Sequence, residues 1–202
     1  MTINLSDKIG RNNLPPNFGS LVPFKDYTSG LYYHGGSSIS NRSNVAMTAD
    51  TIYYLPFGCL KTHTFTGIGI YNGSAAQSGA KLRLGLYANG NNLPDSLILD
   101  AGEVTLDAST AYRVITISQQ LQKNTLYWLA FVSDTGTNVS RFNFDISVTP
   151  RNVTAALGHD PNKTESYLLY DATSESFTYA TLPATATPTT GVTASPAIFL
   201  KG

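Results

Sequence analysis

Lys81-Leu82-Arg83-Leu84-Gly85-Leu86-Tyr87 and Leu126-Tyr127-Trp128-Leu129-Ala130-Phe131-Val132 decide the fold class of this 202-residue chain. In the first stretch Leu82, Leu84 and Leu86 recur with a period of two while Lys81 and Arg83 point the other way. That is the pattern of a strand with one buried and one wetted face. The second is apolar throughout, which predicts a central strand covered on both sides. Working outward, strands are predicted at Thr51–Phe57, Thr64–Tyr71, Ala80–Ala88, Leu97–Val104, Tyr112–Ser118, Leu126–Val132, Arg141–Thr149, Tyr167–Tyr170 and Ala197–Leu200. Turn chemistry separates them at Asn72-Gly73, Asn89-Gly90-Asn91-Asn92, Ala101-Gly102 and Asp134-Thr135-Gly136. Helical periodicity is nowhere sustained. The predicted fold is all-β, a jelly-roll-like two-sheet antiparallel β-sandwich.

Ahead of the strands, residues 1–24 read as an extended N-terminal arm. Pro15 and Pro16 disfavour both helix and central strand, yet Ile3, Leu5, Ile9, Leu14 and Phe18 punctuate the segment, as suits an anchor docking on a partner. Residues 25–202 form the β-sandwich domain in this reading. Within it, 183–196 is a Thr/Ala/Pro-rich loop, and Ala197-Ile198-Phe199-Leu200 is expected to return into a sheet near its edge.

Charge narrows the function. Thirteen basic and thirteen acidic side chains give no net charge, so a general attraction for nucleic-acid phosphates is not expected. No apolar run approaches the ~20 residues of a membrane span, so membrane insertion is not expected either. Met1–Asp7 lacks a basic stretch followed by an apolar one, so no secretory leader is expected. Cys59 is the sole cysteine, which removes intrachain disulfides and cysteine-based zinc sites.

Catalytic signals are weak. His34, His63 and His159 stand far apart and outside any metal-binding spacing, and no Gly-x-Ser-x-Gly elbow occurs. Asp100 and Glu103, flanking the predicted Ala101-Gly102 turn, are the acid pair weighed for glycan hydrolysis. An exposed turn acid beside an edge-strand acid explains them more simply. Gly67-Ile68-Gly69 lies within a strand, where glycine marks a bulge or close backbone approach. The expectation is a non-enzyme with no catalytic residues, no metal and no cofactor.

Aromatics say more, with twelve Tyr set against few charges. Tyr27, Tyr32, Tyr33 and His34, followed by Gly35-Gly36, form the preferred exposed candidate for binding glycan or a partner. The alternative, that these rings cover the end of the core, stays open. Trp128 is expected in the core, and Tyr53 and Tyr54 on opposite faces of their strand.

The stretch from Ala80 to Gly102, with its Leu86-Tyr87 strand end, Asn89-Gly90-Asn91-Asn92-Leu93-Pro94 turn and Asp100-Ala101-Gly102, is followed by Val114–Ser118 and Leu126-Tyr127-Trp128-Leu129-Ala130. Together these resemble a β-sandwich module of bacteriophage structural proteins, of the tail-fibre, receptor-binding and head-decoration types. The resemblance spans roughly residues 50–132. It implies a virion structural protein assembled in a host cytoplasm and exposed on the particle. Such a protein is expected to be a homotrimer, to join other virion proteins through the arm, and to contact host-surface polysaccharide. The alternative is a stand-alone carbohydrate-binding module.

Overall fold

The computed structural model describes residues 27–34, 41–72, 77–107, 109, 111–143, 172–191 and 196–202. The anchoring arm, with Ile3, Leu5, Ile9, Leu14 and Phe18, lies outside the described residues, as do His159 and the strand expected at Tyr167–Tyr170.

Regular structure among the described residues is strand only. In chain order the elements are β1 (Tyr32–Tyr33), β2 (Asn41–Met47), β3 (Thr51–Cys59), β4 (His63–Tyr71), β5 (Lys81–Gly90) and β6 (Leu93–Thr105). They continue with β7 (Tyr112–Leu121), β8 (Thr125–Ser133), β9 (Thr137–Asn143), β10 (Thr173–Ser176), β11 (Thr190–Gly191) and β12 (Ile198–Lys201). One sheet runs β1-β12-β4-β7, the other β11-β10-β3-β8-β5-β6, and β2 pairs with β9 in a separate ribbon. All pairings are antiparallel. The all-β sandwich read from the periodicity is the observed architecture.

Alternation sorts the side chains. Leu82, Leu84 and Leu86 of β5, Leu129 and Phe131 of β8, and Tyr53 and Phe57 of β3 face inward. There they meet Phe65, Ile68 and Ile70 of β4 and Ile198 and Leu200 of β12, forming the core between the sheets. Each such side chain removed from water contributes roughly 1.5–3 kcal/mol before chain entropy is set against it. Asn91 and Asn92, with φ of 52° and 64°, form the two-residue connection between β5 and β6. Asparagine tolerates the left-handed region that such a tight hairpin needs.

One predicted turn is not a turn. Asp100-Ala101-Gly102-Glu103 lies inside β6, where the pairing with β5 shifts register between Leu84 and Gly85 and Gly102 takes φ +96°. The glycine signal was real, but it marks a bulge that lets a long strand bend. β7 runs on through Leu121, past the Ser118 at which its predicted strand ends, and 122–124 connect it to β8.

β8 is central, between β3 and β5, and buried on both faces as its composition requires. Its second cover is the chain's own strap. Residues 177–189 cross the outer face of the six-stranded sheet. Leu182 and Ala186 are buried there with Ile52, Tyr54, Tyr87, Trp128, Ala130 and Val132. The low-complexity segment expected as a plain loop is therefore, over 183–189, packed structure. The strap is tied by backbone bonds from Leu97 to Ala184 and from Ala186 to Asp95 (2.9 and 2.8 Å). The Tyr87 hydroxyl donates to the Pro183 carbonyl (2.8 Å) and Trp128 Nε1 donates to Asn89 Oδ1 (3.0 Å). So both polar ends of these large rings are satisfied under the cover. Tyr53 and Tyr54 do face oppositely, yet both are buried, one in each core.

Candidate functional site

The four residues Tyr27, Tyr32, Tyr33 and His34 are divided by the fold. Tyr32 and Tyr33 form β1, opposite Lys201 and Leu200 of β12, so their side chains leave on opposite faces. Tyr33 turns inward. Its ring lies 4.8 Å from Tyr27 and 6.3 Å from Phe65, and Tyr27 lies 5.0 Å from Phe65 and 5.2 Å from His63. These rings close one end of the sandwich core. The Tyr27 hydroxyl accepts from the Leu60 N–H at 3.0 Å, and burial pushes its pKa up to about 12. His34, half-buried just past β1, is held neutral by desolvation, its pKa lowered to about 4. Of the candidate set, Tyr27 and Tyr33 come together as a core cap, while Tyr32 goes elsewhere.

Tyr32 joins a different group on the outer face of the four-stranded sheet. Its ring stacks on Tyr112 with centroids 4.8 Å apart and planes 8° apart, and meets Phe199 edge-on at 4.6 Å. Tyr112 also contacts Phe199 at 5.4 Å and Tyr71 at 4.8 Å, both edge-to-face. Tyr32 is 38% and Tyr112 47% exposed, whereas Phe199 is 3% exposed beneath them.

The cause is in β4. Gly67 and Gly69 alternate with the inward Ile68 and Ile70, so the middle of the outer face has no side chains. A Cβ on Gly69 would lie 2.4 Å from the Arg113 carbonyl oxygen and 2.9 Å from the Phe199 ring. One on Gly67 would lie 2.7 Å from Val114 Cγ1 and 3.2 Å from Lys201 Cβ. Neighbouring strands lean into that bare strip: Phe199 lies against Gly69, and Tyr32 and Tyr112 meet over Phe199. The Gly-Ile-Gly expectation of close approach and a bulge holds on both counts, for the β4–β7 register also shifts between Phe65 and Gly67. Tyr71, Tyr112 and Phe199 were missed because they come from three distant segments. The available signal was parity: Tyr32 and Tyr33 are adjacent, so one of them had to face out.

The acid pair serves the strap. Asp100 takes Arg83 Nη1 at 3.0 Å on both carboxylate oxygens and accepts the Leu182 N–H at 3.1 Å. Glu103 accepts from the Tyr179 hydroxyl at 2.8 Å and pairs with Lys81 at 3.2 Å. The Tyr179 bond is the chief reason its carboxyl is held below its ordinary range. Among the described residues no three His, Cys, Asp or Glu side chains gather as a metal site would require. The chain matches no protein-family profile, and no curated protein matches it in sequence.

Proposed function

We propose that this chain is an exposed structural β-sandwich of a bacteriophage particle, of decoration or fibre type. It is anchored by residues 1–24, assembles as a homotrimer, and works by binding host-surface glycan rather than by catalysis. The observation that carries the reading is where the phage-like stretch falls. Residues 80–102 and 126–130 occupy β5, β6 and β8, three neighbouring strands of one sheet, and residues 114–118 occupy β7 of the other sheet, so the resemblance draws on both layers of the sandwich. The strand order adds support. β1-β12-β4-β7 facing β3-β8-β5-β6 is the alternation of eight strands between two sheets expected of a jelly roll, with β10 and β11 extending one edge.

The test is a set of purified particles probed by mass spectrometry for this chain, with and without residues 1–24. Loss of incorporation with a sandwich that still folds is expected. Normal incorporation of the truncated protein overturns the anchor, and absence of the chain from particles overturns the assignment.

A second reading, a stand-alone carbohydrate-binding module, is favoured by the stacked Tyr32–Tyr112 pair. Saccharide binding by a monomer that never associates with particles would select it.

A further inference from the structure

We infer that the outer face of the four-stranded sheet is a subsite for one pyranose ring carrying a carboxylate, with Tyr32 and Tyr112 as its stacking surface and Lys201 as its charge partner. This deepens the glycan-contact part of the reading above and rests on that part alone, not on the particle assignment.

Three observations converge on this ligand class. Two tyrosine rings are parallel and remain 38% and 47% exposed although each already covers the other. A core would hide such surface, and an aromatic face is negative, so it suits the weakly positive C–H face of a sugar ring. The rings are also held rigid. Phe199 supports both from below and Tyr71 braces Tyr112, so little ordering remains to oppose binding.

The rest of the face, among the described residues of these four strands, is largely polar and carries no acid. By pairing register, Tyr112, Val114, Thr116, Lys201 and Tyr32 share it with Gly67, Gly69 and Tyr71. Farther along β7 the exposed Ser118 and Gln120 add a hydroxyl and an amide. No Asp or Glu occurs in β1, β4, β7 or β12, and Arg113, which alternates to the other side, is engaged by Asp107. Lys201 is thus the one charged side chain these strands place on the face, directly opposite Tyr32. Aromatic rings for stacking, neutral groups for hydroxyls and one cation for a carboxylate describe an acidic sugar better than a neutral one. A second copy of the chain is the rival occupant, and it would bring Lys201 against its own symmetry mate unless displaced.

The experiment titrates full-length protein, with ring-labelled tyrosine, against methyl β-D-glucopyranosiduronic acid and against neutral methyl β-D-glucopyranoside. Ring signals are followed by NMR. Shifts confined to Tyr32, Tyr71 and Tyr112 are expected, with weak dissociation constants of roughly 10–100 mM as suits a single sugar on one subsite. The acid should bind about two- to fivefold tighter, an exposed ion pair's worth, and that advantage should vanish in Lys201→Gln and at high salt. Tyr112→Leu, which keeps apolar volume but removes the ring, should abolish the shifts, and Tyr27→Phe should not. Absence of shifts with both sugars, equal response to both, or shifts elsewhere overturns the subsite. So do patch signals that move with protein concentration while sedimentation shows a larger species, since the face is then an interface between copies. Particle incorporation is read separately, so failure here is distinguishable from failure of the particle assignment.

Discussion

The hydroxyl of Tyr54, on β3, donates to Oε1 of Glu175, on β10, across 2.7 Å and 121 positions of sequence. Glu175 is 5% exposed, and its other oxygen accepts from both the backbone N–H and the hydroxyl of Thr187 on the strap. One buried carboxylate therefore joins the sheet to its cover. Burying that carboxyl group is tolerable because three donors face it.

Removing the carboxylate should release the strap. Glu175→Ala leaves the Tyr54 hydroxyl and two Thr187 donors without their acceptor, a loss of about 2–4 kcal/mol in urea unfolding. Tyr54→Phe should cost about 1–3 kcal/mol, and the double variant less than the sum of the two. Strict additivity would show that the Tyr54 hydroxyl and the Glu175 carboxylate do not interact.

Gly85 lies against the strap with no room for a side chain. A Cβ there would lie 2.2 Å from Leu182 Cδ1 and 2.8 Å from the Leu99 carbonyl oxygen. The leucine tip can rotate away, but the backbone oxygen cannot. Gly85→Ala should cost about 1–3 kcal/mol as overpacking and should speed hydrogen exchange at the Leu182 amide, which donates to Asp100. Wild-type stability and exchange in that variant would refute tight apposition.

Acid should weaken the fold in two stages. Burial lowers His34 from 6.5 to about 4. Between those values the unfolded chain takes up a proton that the folded chain does not. Stability is therefore full above 6.5 and falls as pH drops toward 4. Glu103, held below its ordinary 4.5 chiefly by the Tyr179 hydroxyl, continues the loss at lower pH. Thermal melts across this range should show His34→Gln flattening the upper stage only; superimposable curves for variant and parent would remove His34 from the account.

The alkaline side has the opposite sign. Burial raises Tyr27 from 10.0 to about 12, and Tyr54, Tyr87 and Tyr179 shift the same way. Unfolded tyrosines ionise first, so stability is full below pH 10 and declines as pH rises through that interval. Tyrosinate absorbance should therefore rise in two stages, exposed rings first and these four only with unfolding. A single stage at the ordinary value would contradict their burial.

Much of this was legible locally. Leu82, Leu84 and Leu86 announced an inward face, and Leu126–Val132 announced a strand covered twice. What that second cover was could not be read, because Leu182 and Ala186 sit in a Thr/Ala/Pro-rich run that carries no strand periodicity. Short elements were also invisible. Tyr32–Tyr33 and Thr173–Ser176 are too brief to show alternation, and are strands only because β12 and β3 offer them partners. The Ala101-Gly102 signal was misplaced by assuming that a glycine between strands must end one.

The order of amino acids alone determined the secondary structure class, the inward faces of the long strands, the Asn91-Asn92 hairpin and the bare strip at Gly67 and Gly69. Each of these depends on neighbours a few residues apart, which period two and backbone sterics govern directly. The tertiary structure alone decided that Tyr32 meets Tyr112 over Phe199, that Tyr27 and Tyr33 cap a core, and that Glu175 holds the strap. Those partners are brought together by sheet topology, Tyr32 and Tyr112 across 80 positions and Tyr54 and Glu175 across 121, and no local pattern specifies which strand will lie beside which.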